Sequence, residues 1–252
     1  MERKDLPEGL DLVEGRNPVA ELIKAQRRVN RLLAAKGVDR TGERIINDAL
    51  KRGIKVEYVD RKELDKISRT GTHQGFIALV ERFRYAEGPE TIVETARNRG
   101  EDPLVVVLDK ICDPRNLGAI IRTAYCCGVH GIVIPKRNAA GVTPAAVKAS
   151  AGAAGYIPIA QVTNTVRAIE QLKEMGLWIA GADMDGEIMY RADLKGPLAL
   201  VAGSEGRGLG RLVREKCDFL VSVPMKNDFS SLNVSAAAAV LLYEALRQRE
   251  YS

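Results

Sequence analysis

The sequence predicts a two-domain α/β protein: a small α/β domain over residues 1–84, a linker over 85–102, and a larger domain over 103–252 built on a mostly parallel sheet. Short apolar runs rich in Val, Ile and Leu alternate with helical periodicity along most of the chain, the pattern of a sheet covered by helices. The runs LVVVLD (104–109) and GIVIP (131–135) are nearly continuous in apolar residues, as expected of strands buried on both faces. Between them and the first unit, RYAEGPETIVETARNRGEDP (84–103) turns to charge, Gly and Pro around one short amphipathic stretch, which puts a boundary near residue 85.

In the first domain the periodicity predicts a helix from Pro18, a strand at 29–35, a helix at 42–52, a strand at 55–59, a short helix at 61–67 and a strand at 76–81. Asn17 reads as an N-cap with Pro18 in the first helical position, and Gly53 as a C-terminal stop. In the second domain the strand at 104–109 is followed by a helix from about Leu117, a strand at 131–135 and a helix at 143–151. Strands at 157–161, 177–182, 198–202 and 219–223 then alternate with helices at 164–175 and 233–249. Ligands of such sheets bind beyond the carboxyl ends of the strands, so the loops after 109, 182, 202 and 223 are the ones to inspect.

Composition excludes several classes. No apolar run approaches the roughly 20 residues that cross a bilayer, and the start lacks the apolar segment of a secretion signal, so a cytoplasmic protein without membrane contact is expected. Cys112, Cys126, Cys127 and Cys217 show no CxxC spacing, which argues against a disulfide or zinc framework. With only His73 and His130, metal ligation and His-based nucleophilic catalysis have little to work with. The net charge of +5 suits a polyanionic partner without requiring one.

Three loops could carry chemistry. DKICDPRNLGAIIRTAYCCG (109–128) holds Asn116, readable as a helix cap, and Arg122, about two turns further on, readable as a surface ion-pair partner. GSEGRGLG (203–210) has neither the GK[ST] of a phosphate loop nor the dinucleotide spacing G-x-G-x-x-G. A bare glycine turn accounts for it, although Glu205 within it can also bind substrate, order an arginine or accept a proton. MKNDFSSLNVSAAAAVLLYEAL (225–246) offers Ser231 and Asn233 as caps or as site residues, and Ala236–Ala239 as a surface for close packing.

Taken in order, DPRNLGAIIRTA, GSEGRGLG and VSVPM with SSLNVSAAAAVLLYEAL closely resemble the three motifs of the SpoU (TrmH-like) family of RNA ribose 2′-O-methyltransferases, over residues 104–249. Upstream, VEGRNPVAELI (13–23) and THQGFIALV (72–80) look like the small substrate-binding domain of the branch acting on ribosomal RNA.

The resemblance implies a SPOUT-type trefoil knot in the second domain, although knots are rare exceptions among folds. It implies a homodimer, RNA as substrate, S-adenosylmethionine as methyl donor and no metal. It places Gly203, Val223 and Leu232 where backbone groups hold the cofactor, with Ala202, Ser204, Met225 and Ser231 shaping the pocket. Arg122 is the expected catalytic centre: its planar fork can grip a phosphate and stabilise charge on the 2′-oxygen. A guanidinium almost never gives up its proton, so a phosphate or water is the expected acceptor. Asn116 and Asn233 would position Arg122 or the ribose, Glu205 would orient them, and Ser231 would bond substrate or cofactor. Arg16, Arg27, Arg28 and Arg31 are expected to meet RNA phosphates or to form a solvated helix face, and His73 with Gln74 to touch RNA or brace a turn. The implied substrate is a guanosine of large-subunit (23S) ribosomal RNA, with transfer RNA as the alternative and a noncatalytic RNA-binding factor as a remote one.

Overall fold

The computed structural model describes residues 9–24, 29–206, 208–227 and 231–251, and the chain divides into two compact units, 1–84 and 85–252.

In the first unit, β1 (Leu10–Glu14), α1 (Arg16–Lys24), β2 (Val29–Ala35), α2 (Arg40–Lys51), β3 (Val56–Val59), α3 (Arg61–Ile67) and β4 (Phe76–Glu81) form a sheet of order β1-β4-β2-β3. β4 runs antiparallel to both β1 and β2, while β3 lies parallel to β2. Successive side chains of a strand face opposite sides. Thus Phe76, Ala78 and Val80 pack with Val19, Leu22, Ile45 and Ile46 beneath α1 and α2. Ile77 and Leu79 pack with Leu64 and Ile67 beneath α3. Asp39 caps α2 by accepting from the Gly42 N–H at 2.8 Å, and Gly53 follows its end at φ +70°. α1 begins at Arg16, so Asn17 lies inside the helix and is not its cap. Strand β1 is an addition to the elements expected from periodicity.

Among the described residues of the second unit, β5 (Leu104–Leu108), β6 (Gly131–Pro135), β7 (Ile159–Val162), β8 (Trp178–Ile188), β9 (Leu198–Ala202) and β10 (Phe219–Ser222) form a sheet of order β10-β8-β9-β5-β6-β7. Every neighbouring pair is parallel. Helices α4 (Pro89–Asn98), α5 (Pro114–Cys126), α6 (Pro144–Ala149), α7 (Thr165–Glu174), α8 (Arg211–Lys216) and α9 (Val234–Glu250) cover it. Val105, Val107, Ala199 and Val201 face Ile92, Val93, Ile169, Leu172 and Val213 of α4, α7 and α8. By alternation Leu104, Val106, Leu108 and Leu200 face the other side, where α9 packs on β9 and α5.

The stretch 85–102, expected to be linker, is corrected: its residues 89–98 are α4. Ile92, Val93 and Ala96 are fully buried in the core of the second unit. Burying such an aliphatic side chain is worth about 1.5–3 kcal/mol, enough to outweigh the charged flanks that dominate the composition.

Chain order makes a crevice. From β5 the chain crosses to β6 on one side, whereas from β9 it passes beyond β8 to β10 on the other. The loops after β5 and β9 therefore diverge, the condition for a ligand site at a switch point. The same region contains an interruption in the ladder. Leu220 of β10 pairs with Gly181 of β8, but the next residue, Val221, pairs with Glu187. Residues 182–186 are consequently extruded from the sheet as an arch.

Candidate functional site

The loops after β5 and β9 are clasped together. The Asp109 N–H donates to the Ala202 carbonyl at 2.8 Å, and the buried Asp109 carboxylate accepts from the Gly210 N–H at 2.8 Å. Between these points GSEGRGLG folds back on itself: Ser204 and Gly208 exchange backbone hydrogen bonds of 3.1 and 2.9 Å. A Cβ on Gly203 would lie closer than 3.0 Å to the Gly208 carbonyl and the Leu209 nitrogen. The glycine there is a steric requirement.

Asn116 is not the cap of α5. Asp113 holds that position, accepting from the Arg115 N–H at 2.8 Å, and the hydrogen-bonded Arg115 guanidinium keeps the Asp113 carboxyl below its ordinary range. Released from capping, the Asn116 amide donates to Glu205 Oε1 at 3.0 Å. Asn233 does cap α9, its Oδ1 accepting from the N–H groups of Ser235 and Ala236. Its amide nitrogen donates to Asn116 Oδ1 at 3.1 Å and to Glu205 Oε1. Asn116, Glu205 and Asn233, one from each loop, thus close a hydrogen-bonded triangle.

The Glu205 corner borders a cavity of about 490 Å³, within the range of small-molecule and cofactor sites. Ala202, Gly203, Ser204, Val223, Met225, Ser231 and Leu232, the seven positions named for the cofactor, all line it. Their neighbours in the wall include Ala237, Ala238 and Leu241 of α9, whose small residues leave room for the space. A further wall comes from Ala182, Asp183, Met184 and Asp185 of the arch, in the loop expected after residue 182, although none of these residues was singled out beforehand. No periodicity marks a five-residue slip of register.

Arg122 lies outside the cavity lining. It is exposed on α5, six residues or about 9 Å of helix beyond Asn116, and among the described residues it makes no side-chain hydrogen bond or ion pair. In the first unit the expected arginine cluster is dispersed. Arg27 and Arg28 lie outside the described residues. Arg31 pairs with Glu57 at 2.9 Å, whereas Arg16, just past the end of β1, pairs with Asp39 at 2.8 Å. Exposed Gln74 accepts from the Arg16 N–H at 3.3 Å, bringing 13–16 and 72–75 together. His73, expected to touch RNA or to brace a turn, is 2% exposed, accepts from the Gly75 N–H at Nδ1 and meets Asp65 at Nε2. It braces the turn. Glu14 organises the same loop, accepting from Ser68 Oγ, the Arg69 N–H and both donors of Thr70.

Two of the thiols and the second histidine are spoken for. Burial pushes the Cys127 and Cys217 thiols up to about 11, away from nucleophilic use at neutral pH. His130 accepts from the Leu104 N–H and meets Glu101. Among the described residues no group of three or more His, Cys, Asp or Glu side chains could hold a metal ion, and no helix is long and apolar enough to cross a membrane.

A cavity at the switch point of a parallel sheet, walled by a folded-back glycine loop, is the arrangement in which α/β domains bind small organic ligands. Residues 103–243 match the SpoU rRNA Methylase family, and residues 12–86 match the family described as RNA 2′-O ribose methyltransferase substrate binding. A protein of Bacillus subtilis (strain 168) assigned to the TrmH family of tRNA/rRNA methyltransferases is 46% identical over 95% of this chain and 96% of its own. The SpoU methyltransferase AviRb from Streptomyces viridochromogenes, solved with S-adenosylmethionine, matches at 28% identity and TM-score 0.62, over 95% of this chain and 90% of that one. An S-adenosylmethionine-bound rRNA methyltransferase from Sinorhizobium meliloti matches at 25% identity and TM-score 0.62, over 97% and 89%. The chain belongs to the SpoU family. It is an RNA 2′-O-methyltransferase that uses S-adenosylmethionine, and its second unit has the SPOUT knot fold of those structures.

Proposed function

We propose that the protein methylates the ribose 2′-hydroxyl of a guanosine in large-subunit (23S) ribosomal RNA. The observation that carries the site assignment is the triangle of Asn116, Glu205 and Asn233, joining three loops far apart in sequence at one corner of a cavity. Preference for ribosomal RNA draws on the likeness to the Sinorhizobium meliloti rRNA methyltransferase, which extends over both units. Gly203, Val223 and Leu232 hold the cofactor through backbone groups, and Ala202, Ser204, Met225 and Ser231 complete its pocket. Bound there, S-adenosylmethionine supplies an electrophilic methyl carbon without a metal.

This chain's residues align the ribose, and alignment alone is worth up to about 7–11 kcal/mol in favourable cases. Arg122, without a protein partner among the described residues, grips a phosphate and stabilises charge developing on the 2′-oxygen. Glu205 keeps both asparagine amides oriented, and Ser231 bonds substrate or cofactor. The first unit, residues 1–84, binds RNA through the surface where Arg16 meets Gln74. A second copy of the chain covers the exposed side of α9, which carries Ala236, Val240 and Tyr243. Sedimentation of Tyr243→Lys as a monomer against a dimeric wild type is the expected outcome, and a monomeric wild type would exclude the dimer.

The deciding experiment is transfer of labelled methyl groups to total ribosomal and transfer RNA by wild type and Arg122→Ala, with the label mapped to base or ribose. Ribose label at a guanosine of the large-subunit RNA, absent with the variant, is expected. Label confined to transfer RNA would overturn the substrate, and full activity of the variant would overturn the role of Arg122.

A further inference from the structure

The arch 182–186 is held at both feet by close packing. A Cβ on Gly181 would fall within 3.0 Å of Cys217, Leu209 and Leu220 side-chain atoms, and one on Gly186 within 3.0 Å of the Leu220 and Val221 backbone. Ser222 Oγ also donates to the Gly186 carbonyl at 2.8 Å. The crown has a different anchor. Arg214 of α8 donates from Nε to Asp183 Oδ2 at 3.0 Å and from Nη2 to Asp185 Oδ2 at 3.2 Å. The other oxygen of Asp183 accepts from the Asp185 N–H at 3.0 Å, which fixes the bend of the crown.

Asp183 is mostly shielded, its side chain 17% exposed, whereas Asp185 is 82% exposed. The Arg214 side chain is itself 42% exposed, so the shielded end of the contact is Asp183, and that end sets this pair apart from one solvated on both sides, for which little effect would be expected. Its own helix is tied to the opposite wall: the Arg214 N–H donates to the Gly210 carbonyl, and the Gly210 N–H donates to Asp109. One guanidinium therefore spans from the end of the glycine-rich loop to the arch. Without it, two carboxylates two residues apart would repel on a segment whose crown has no other side-chain anchor among the described residues.

We propose that Arg214 is a positioning residue for cofactor binding: it fastens the Asp183–Asp185 crown against the glycine-rich loop and so fixes the width of the cavity between them. The inference rests on the reading of this cavity as the S-adenosylmethionine site. Arg214 touches no reacting atom, so it governs affinity for the cofactor and not the methyl-transfer step once the cofactor is bound.

The test uses the full chain. Affinity for S-adenosylmethionine is measured by calorimetry, and KM and kcat by methyl transfer, for wild type, Arg214→Gln, Arg214→Lys and the double variant Arg214→Gln/Asp183→Asn. Arg214→Gln is expected to raise Kd and the cofactor KM by about tenfold or more, with kcat at saturation within about twofold. Arg214→Lys, which keeps a cation, is expected to recover most of the affinity, and removal of the Asp183 charge to recover part of it, a pattern that general loss of folding would not produce. An unchanged Kd in Arg214→Gln, or a loss confined to kcat, overturns the inference. Gly203→Ala separates the two levels. If it too leaves Kd unchanged, the cavity is not the cofactor site and the inference falls with that reading. If it abolishes binding while Arg214→Gln does not alter it, the inference alone falls.

Discussion

Asn233 donates its amide nitrogen to Asn116 Oδ1 at 3.1 Å across 117 residues of chain while its own oxygen caps helix α9. One side chain therefore starts a helix and closes the triangle at the cavity, and the two tasks fall on its two different atoms.

The tasks can be separated. Asn233→Ser keeps a capping oxygen and loses the amide donor, so stability should change by less than about 0.5 kcal/mol while turnover falls severely. Asn233→Ala should in addition lose about 1 kcal/mol of stability with the cap. Thermal melts beside turnover assays check both, and a fully active Asn233→Ser would remove the triangle from catalysis.

Arg122 is exposed and away from the cavity wall. Arg122→Ala should therefore leave the Kd for S-adenosylmethionine unchanged and lower kcat by about 10²–10³, the loss typical of one transition-state donor. Arg122→Lys should recover little, since a point charge lacks the planar fork. Calorimetry and single-turnover rates distinguish this from a binding defect, which would appear as a raised Kd.

Gly203→Ala forces a methyl group into the backbone of Gly208. Overpacking of this kind costs about 1–3 kcal/mol, and the loop must open to relieve it. Loss of cofactor binding with a modestly lowered melting temperature is expected. Wild-type affinity would mean that this cavity is not the cofactor site.

Glu14 provides a pH dependence. Burial raises its pKa, but the hydrogen bonds from Ser68, Arg69 and Thr70 together bring it below its ordinary 4.5. A carboxylate with a lowered folded-state value contributes stability above the unfolded value and loses it as pH falls through the folded one. The melting-temperature gap between wild type and Glu14→Gln should therefore be full at neutral pH and shrink below about 4.5. A gap independent of pH would show that ionisation of Glu14 is not what holds the loop 68–75.

Much of this was legible beforehand, for identifiable reasons. The fully apolar LVVVL and GIVIP runs could only be strands covered on both faces, and the seven residues named for the cofactor line one cavity because motif register fixes which backbone groups follow each strand. Helix α4 was hidden by the charge around Ile92 and Val93, and α8 by its six residues, too few for a period to emerge. Asn116 looked like a cap because Asp113, three residues earlier, offers the same chemistry, and local sequence does not decide between them. Arg16 and Arg31 looked like a phosphate-binding cluster because sequence does not display their partners, Asp39 at the start of α2 and Glu57 on the neighbouring strand. The arch and Arg214 depend on a register slip between strands distant in sequence, which no local pattern records.

The cavity takes its walls from residues of the segments 182–185, 202–206 with Gly208, 221–225 and 231–241. During vectorial synthesis the strands from β5 to β9 can emerge and begin to pair long before α9 exists, yet the space between arch and glycine loop stays open on one side until Ala237, Ala238 and Leu241 arrive. With this cavity as the proposed cofactor site, a nascent chain is blind to its cofactor until α9 has been made. Because a ligand that binds only the completed state stabilises it by mass action, S-adenosylmethionine in the surrounding solution would act as a late latch on maturation, favouring chains whose final helix has docked over those in which it has not.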